Sequence, residues 1–136
     1  MKRAQTVWIT GASSGMGEAL ALTYNAKGYH TILSARRSEV LESIQKKLTH
    51  PEQSYLLPLD LEQHENAEAW YNQASAFTGS IDVLINNAGM GHLGTAIEME
   101  LDIERKVFEV NFWGAVALTK AVLPHMTSRN SGQIWT

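Results

Sequence analysis

A glycine-rich octet, Thr10-Gly11-Ala12-Ser13-Ser14-Gly15-Met16-Gly17, stands between an apolar run and a helix-like segment. The run before it, Thr6-Val7-Trp8-Ile9, has the character of a buried strand. The helical pattern after it carries Ala19, Leu20, Leu22 and Ala26 on its apolar side and ends at Gly28, a residue suited to a helix C-cap. A strand, a tight turn and a helix start in direct succession form a phosphate-binding device. Glycines let the backbone turn and let a pyrophosphate come close, while the first helical N–H groups and the dipole favour an anion. The spacing is G-x-x-x-G-x-G, unlike the G-x-G-x-x-G of the common dinucleotide fingerprint. A plain strand-to-helix turn therefore stands as an alternative at this point.

The rest of the chain repeats the same alternation. Strands are predicted over residues 5–10, 30–35, 54–59 and 81–85, with a fifth starting at Gln133. Helices are predicted over residues 15–27, 39–48, 62–77 and 101–126. Ser38 is the expected N-cap of the second helix, whose Val40, Leu41, Ile44 and Leu48 recur at helical spacing. Pro58 sits awkwardly in the third strand, and Pro124 lies near the end of the long helix. Strands alternating with helices imply a doubly wound parallel sheet with helices on both faces. The expected strand order is 3-2-1-4-5, which puts the ligand at the carboxyl ends of the first and fourth strands.

The totals narrow the function. The 136 residues suffice for one domain, and 44% apolar against 18% charged residues describes a globular chain. A net charge of −3 without a basic run argues against nucleic acid as a partner. The absence of cysteine excludes disulfides and thiolate metal sites, and the five histidines show no metal-ligand spacing, so no metal is expected. No apolar stretch approaches the length of a membrane span or forms a signal peptide, so no membrane partner and a cytoplasmic location are expected.

Four motifs in order resemble the classical subgroup of the short-chain dehydrogenase/reductase family. The octet resembles its T-G-x-x-x-G-x-G cofactor turn. Asp60-Leu61 resembles its adenine-contacting acidic position, Asn86-Asn87-Ala88-Gly89 is its N-N-A-G motif letter for letter, and Asn111 resembles its active-site asparagine. The resemblance implies a Rossmann-like fold that binds NAD(P). It assigns Gly11, Ser13, Ser14, Gly15, Met16, Gly17, Asp60, Leu61, Asn87, Ala88 and Gly89 to the cofactor and Asn111 to catalysis. It further implies a helix kink at Asn111 and a bound water in a proton relay. Other readings stay open for individual residues. Asp60 can accept from an exocyclic amine, cap the following helix, or do both. Asn86 and Asn87 can pair loop backbone or serve turn chemistry. Asn111 interrupts an apolar helix stretch, where a buried amide needs partners or bends the helix.

The choice of nicotinamide cofactor falls on Arg36 and Arg37. In dinucleotide folds a carboxylate at the end of the second strand grips the ribose 2′-hydroxyl. Two guanidiniums stand there instead, and a guanidinium chelates a 2′-phosphate, so NADP(H) is favoured over NAD(H). The alternative for one of them is an ion pair between Arg37 and Glu39, or solvent.

The family's chemistry also implies a serine after the fifth strand and a Tyr-x-x-x-Lys pair on the next helix. Four residues after Tyr24, Tyr29, Tyr55 and Tyr71 stand Gly28, Leu33, Leu59 and Ser75, none of them lysine. The expectation is thus a single NAD(P)-binding domain over residues 1–136, incomplete at its carboxy terminus and truncated in the fifth strand. It would be the NADP(H)-binding portion of an oxidoreductase acting on a small carbonyl or alcohol substrate. The whole protein is expected to be a homo-oligomer, since residues 101–126 resemble a region that makes subunit contacts in the family. The competing readings are a non-catalytic NADP(H)-binding or sensor protein and a methyltransferase-like nucleotide fold. Arg36 and N-N-A-G argue against the last.

Overall fold

A computed structural model of the chain describes residues 3–136. Five strands form one parallel sheet: β1 (Thr6–Thr10), β2 (His30–Ser34), β3 (Ser54–Leu56), β4 (Val83–Ile85) and β5 (Gln133–Trp135). Their order is β3-β2-β1-β4-β5, as the alternation predicts. β1 lies at the centre, pairing Trp8 with Ile32 of β2 on one side and with Leu84 of β4 on the other. The chain leaves β1 in one direction to build β2 and β3 and returns past it to build β4 and β5. The crevice where the direction reverses lies at the carboxyl ends of β1 and β4.

Side chains alternate across this sheet and create two apolar layers. Val7, Ile9, Leu33, Val83 and Ile85 point to one face, where Ala21 of α1 (Gly15–Ala26) and Leu41 and Ile44 of α2 (Ser38–Gln45) cover them. Trp8, Ile32 and Leu84 point to the other. There they meet Trp70, Tyr71 and Ala74 of α3 (Ala67–Thr78) and Leu118 and Val122 of α5 (Gly114–Ser128). Because both faces are covered, all five residues of β1 are buried. The buried Trp8 indole N–H donates to Ser34 Oγ at 2.9 Å, so its polar end is satisfied inside the core.

Several boundaries differ from the sequence reading for local reasons. β3 is shorter than predicted, although Leu57 N and Leu59 N still donate to Leu33 O and Ala35 O. These bonds leave the nitrogen of Pro58 on the outer side of an edge strand, where no ladder donor is required. Ser38 opens α2 instead of capping it; the N-cap position belongs to Arg37, without a side-chain bond. The helix predicted over 62–77 divides into a 3-10 segment (Leu61–Asn66) and α3, with Gln63 outside helical geometry. The long helix predicted over 101–126 is three pieces: α4 (Leu101–Phe108), a π turn (Glu109–Trp113) and α5. Gly28 and Gly79 adopt φ of +85° and +87° just beyond α1 and α3, the left-handed geometry that ends a helix. No helix among the described residues is long and apolar enough to cross a membrane.

Trp8 joins the central strand to the α3/α5 layer and is wholly buried. Trp8→Ala is expected to lower the unfolding free energy by about 3–5 kcal/mol. The measurement is urea unfolding, in which the midpoint falls while the slope stays constant.

Candidate functional site

A cleft of about 440 Å³ opens at the carboxyl ends of the strands. Its walls come from the turn after β1, the end of β2, the segment after β3 and the loop after β4. Gly11, Ser13, Ser14, Gly15, Met16, Arg36, Arg37, Asp60, Leu61, Asn87, Ala88 and Gly89 all line it. Of the residues singled out from the sequence, Gly17, Asn86 and Asn111 are outside that lining.

Gly17 acts underneath the cleft. A Cβ at this position would stand 2.0 Å from Gly11 O and 2.6 Å from Asn87 Nδ2, so only a residue without a side chain fits. Gly11 is held as tightly: its Cβ would meet Ala88 Cα at 2.8 Å, and its φ of +65° is strained for any other residue. Gly15 has φ of +54° and opens α1, and no side chain caps that helix at Ser14. The first-turn N–H groups are therefore left for an external acceptor.

The glycine turn and the N-N-A-G loop are clasped to one another. Thr10 Oγ1 accepts from Asn87 N at 3.1 Å and Ala88 N at 3.0 Å, and donates to Ile85 O at 3.3 Å. In return, Asn87 Nδ2 donates to Thr10 O at 3.2 Å and Gly11 O at 3.3 Å. Thr10 stands in the octet, but its role was invisible in the sequence because its partners are 77 and 78 residues away. Asn86 points elsewhere: its Nδ2 donates to Thr119 Oγ1 of α5 at 3.1 Å, and its N donates to Trp135 O of β5 at 2.8 Å. Both asparagines pair with structure beyond their own turn.

Asp60 takes the capping role considered for it. Its Oδ1 accepts from Glu62 N at 3.0 Å, capping the 3-10 segment, while the residue still borders the cleft. Leu61 beside it is buried and forms an apolar wall. Across the opening, Arg36 and Arg37 are exposed, and neither forms an ion pair among the described residues. The Arg37–Glu39 pairing weighed from the sequence is absent from this set. Two free cations thus stand at the β2 edge and one carboxylate at the β3 end.

Asn111 departs from expectation in its surroundings. It is exposed rather than buried, yet both ends of its amide are used. Oδ1 accepts from Met90 N at 2.7 Å and Nδ2 donates to Met90 O at 2.8 Å. Around Asn111 the helix widens into the π turn, closed by Gly114 N donating to Glu109 O. No tyrosine lines the cleft, and His92 lies exposed in the following loop outside it. No cluster of potential metal ligands occurs among the described residues.

The family model for short chain dehydrogenases matches residues 5–136. Dehydrogenase/reductase SDR family member 7 of Homo sapiens is 41% identical over 135 residues, covering 96% of this chain and 40% of the human protein. A family protein 7-like relative from Anopheles gambiae is 40% identical over 138 residues, covering 96% of this chain and 43% of its own. The chain thus spans about two fifths of the length of these curated relatives. Among solved structures, a short-chain dehydrogenase from Streptomyces avermitilis superposes with a TM-score of 0.89 at 35% identity, covering 96% of this chain and 47% of that one. A metagenomic short-chain oxidoreductase, solved in complex with NADP, reaches 0.90 at 29% identity over 96% of this chain and 60% of that one.

Thr10→Val keeps the side-chain shape and deletes the hydroxyl. Ala88 N then loses its acceptor and Ile85 O its side-chain donor. A loss of about 1–3 kcal/mol in unfolding free energy is expected, largely recovered in Thr10→Ser. Chemical denaturation of the three proteins side by side checks this.

Proposed function

Because the chain belongs to the short-chain dehydrogenase family, we propose that its cleft holds a nicotinamide dinucleotide, specifically NADP(H). The observation that carries the specific choice is the pair of unpaired guanidiniums, Arg36 and Arg37, on the cleft wall where NAD-binding folds place a carboxylate. A 2′-phosphate there meets two planar cations able to bind it through paired N–H donors. The structural neighbour solved with NADP supports the same reading.

The remaining residues fit such a ligand. Gly11 and Gly15 leave the backbone bare at two points of the turn, and the uncapped start of α1 offers N–H groups to the pyrophosphate. Ser13 and Ser14 add hydroxyls, and Met16 lies at the same rim. Leu61 and Ala88 form apolar surfaces for the adenine, and Asp60 places a carboxylate beside its exocyclic amine. Asn87 and Gly89 close the inner wall. In the whole protein the bound cofactor supplies or accepts hydride at a carbonyl or alcohol carbon. Asn111 orients the loop next to that reaction by holding both backbone groups of Met90. The accompanying proton at the substrate oxygen is assigned to a tyrosine–lysine pair outside these 136 residues, because no Tyr-x-x-x-Lys occurs within them. This reading gives residues 1–136 the cofactor-binding part of the reaction. Self-association of the whole protein belongs to the same reading, supported by Leu101, Phe108, Phe112 and Trp113, whose large apolar side chains are exposed to between 49% and 66%.

Fluorescence titration with both cofactors tests the assignment. NADPH is expected to bind about tenfold or more tightly than NADH, in keeping with charge-assisted hydrogen bonds to one phosphate. The Arg36→Ala/Arg37→Ala protein loses that preference while keeping its affinity for NADH. Equal affinities in the unaltered chain refute the NADP(H) assignment.

A further inference from the structure

The π turn meets three parts of the site at once. At its first residue, Glu109 Oε2 lies 2.5 Å from His64 Nε2. One helical turn earlier, Lys106 Nζ lies 3.3 Å from Glu62 Oε1. Glu62 and His64 belong to the 3-10 segment that begins at Leu61, directly after Asp60, so both pairs tie this cleft wall to the same helix. Just past the turn, Gly114 is packed so closely under Leu61 that a Cβ there would lie 2.8 Å from Leu61 Cβ. In the turn itself, Val110 lines the cleft and Asn111 grips Met90 through both backbone groups. Each pair is partly solvated and contributes little stability alone. Their effect is geometric: two side-chain bridges and one close backbone approach leave the 3-10 segment little freedom to shift without the turn.

We infer that His64–Glu109 and Glu62–Lys106 are positioning pairs that make the 3-10 segment and the π turn move as one body, so that filling the adenine side of the cleft tightens the Asn111 clamp on Met90. The inference rests on the cleft being the dinucleotide site. A ligand against Asp60 and Leu61 restricts the segment, the bridges hand that restriction to the turn, and Asn111 releases Met90 less often. Coupling of this kind is a free energy shared between two sites and is readable at either one. Met90 N–H is the natural reporter, since it exchanges with solvent only when its bond to Asn111 Oδ1 opens.

The test uses adenosine 5′-monophosphate, which carries the adenine part common to both cofactors and no nicotinamide. Hydrogen exchange at the Met90 amide is followed by NMR in the full chain, free and saturated with the nucleotide. Saturation is expected to slow exchange about fivefold. In His64→Ala/Lys106→Ala the nucleotide still binds, and the slowing is lost. Unchanged Met90 exchange in the saturated, unaltered chain overturns the inference, with no variant needed. Equal slowing in the double variant also overturns it, because direct contact with the nucleotide then accounts for the effect; His64→Ala alone repeats this arm with less disturbance to folding. Failure of the nucleotide to bind removes the dinucleotide reading and the coupling together, whereas binding without slowing removes only the coupling.

Discussion

The close approach of two backbone segments at the ends of β1 and β4 governs the geometry of the cleft. Gly17 lies against Gly11 O and the Asn87 amide, and Gly11 lies against Ala88, each at a distance that forbids a Cβ. Thr10 and Asn87 then exchange hydrogen bonds across the same gap. Backbone carbonyl and amide groups here sit between buried strands, where unpaired polar atoms are costly. Threonine and asparagine supply the missing partners without widening the gap. The cleft floor is therefore fixed by sterics and satisfied by two side chains, which leaves the upper N–H groups of the turn and α1 facing outward.

The two apolar layers make that arrangement rigid. β1 is buried from end to end, with helices packed on both sheet faces, so the loops at its carboxyl end leave a scaffold that has little freedom. The opposite end of the sheet is closed by a different device. Asp82, buried just before β4, accepts from Thr6 N at 2.8 Å and from both terminal nitrogens of Arg3 at 2.6 and 3.0 Å. One carboxylate thus fastens the amino-terminal ends of β1 and β4, as Thr10 and Asn87 fasten their carboxyl ends. At the carboxyl end such a fastening stands beside a helix start and, among the described residues, two arginines without an ion pair.

Much of this was legible in the chain before folding. Strand order followed from the alternation of elements and from the right-handed crossover rule, which depend on local pattern and chain chirality. The glycine spacing marked two positions where side chains are excluded, Gly11 and Gly17, and a left-handed one, Gly15. Arg36-Arg37 could be read because the end of a strand is a defined place in this topology. The division of the long helix was not legible. Residues 101–126 have a continuous helical pattern, whereas in the fold Glu109, Asn111 and Gly114, in and beside the π turn, each meet a partner from elsewhere: His64, Met90 and Leu61. Asn111 was expected to be buried on the strength of its apolar neighbours. Phe112 and Trp113 are themselves half exposed, so that local inference failed with them.

By itself the sequence determined the order of elements, the parallel sheet, the glycine turn, the N-N-A-G loop and the two cations at the end of β2. All of these are properties of residues close together along the chain, where periodicity, turn chemistry and charge act directly. Only the tertiary structure decided that Thr10 holds the amides of Asn87 and Ala88, that Gly17 is needed for packing beneath the cleft, that Asn111 clamps Met90, and that His64 and Glu62 bridge to the π-turn region. Apart from the contact of Gly17 with Gly11 O, those roles belong to pairs separated by 21 to 78 residues. Hydrogen bonds and van der Waals contacts act over a few ångströms, so such roles are created when the sheet closes and are absent from any local stretch of sequence.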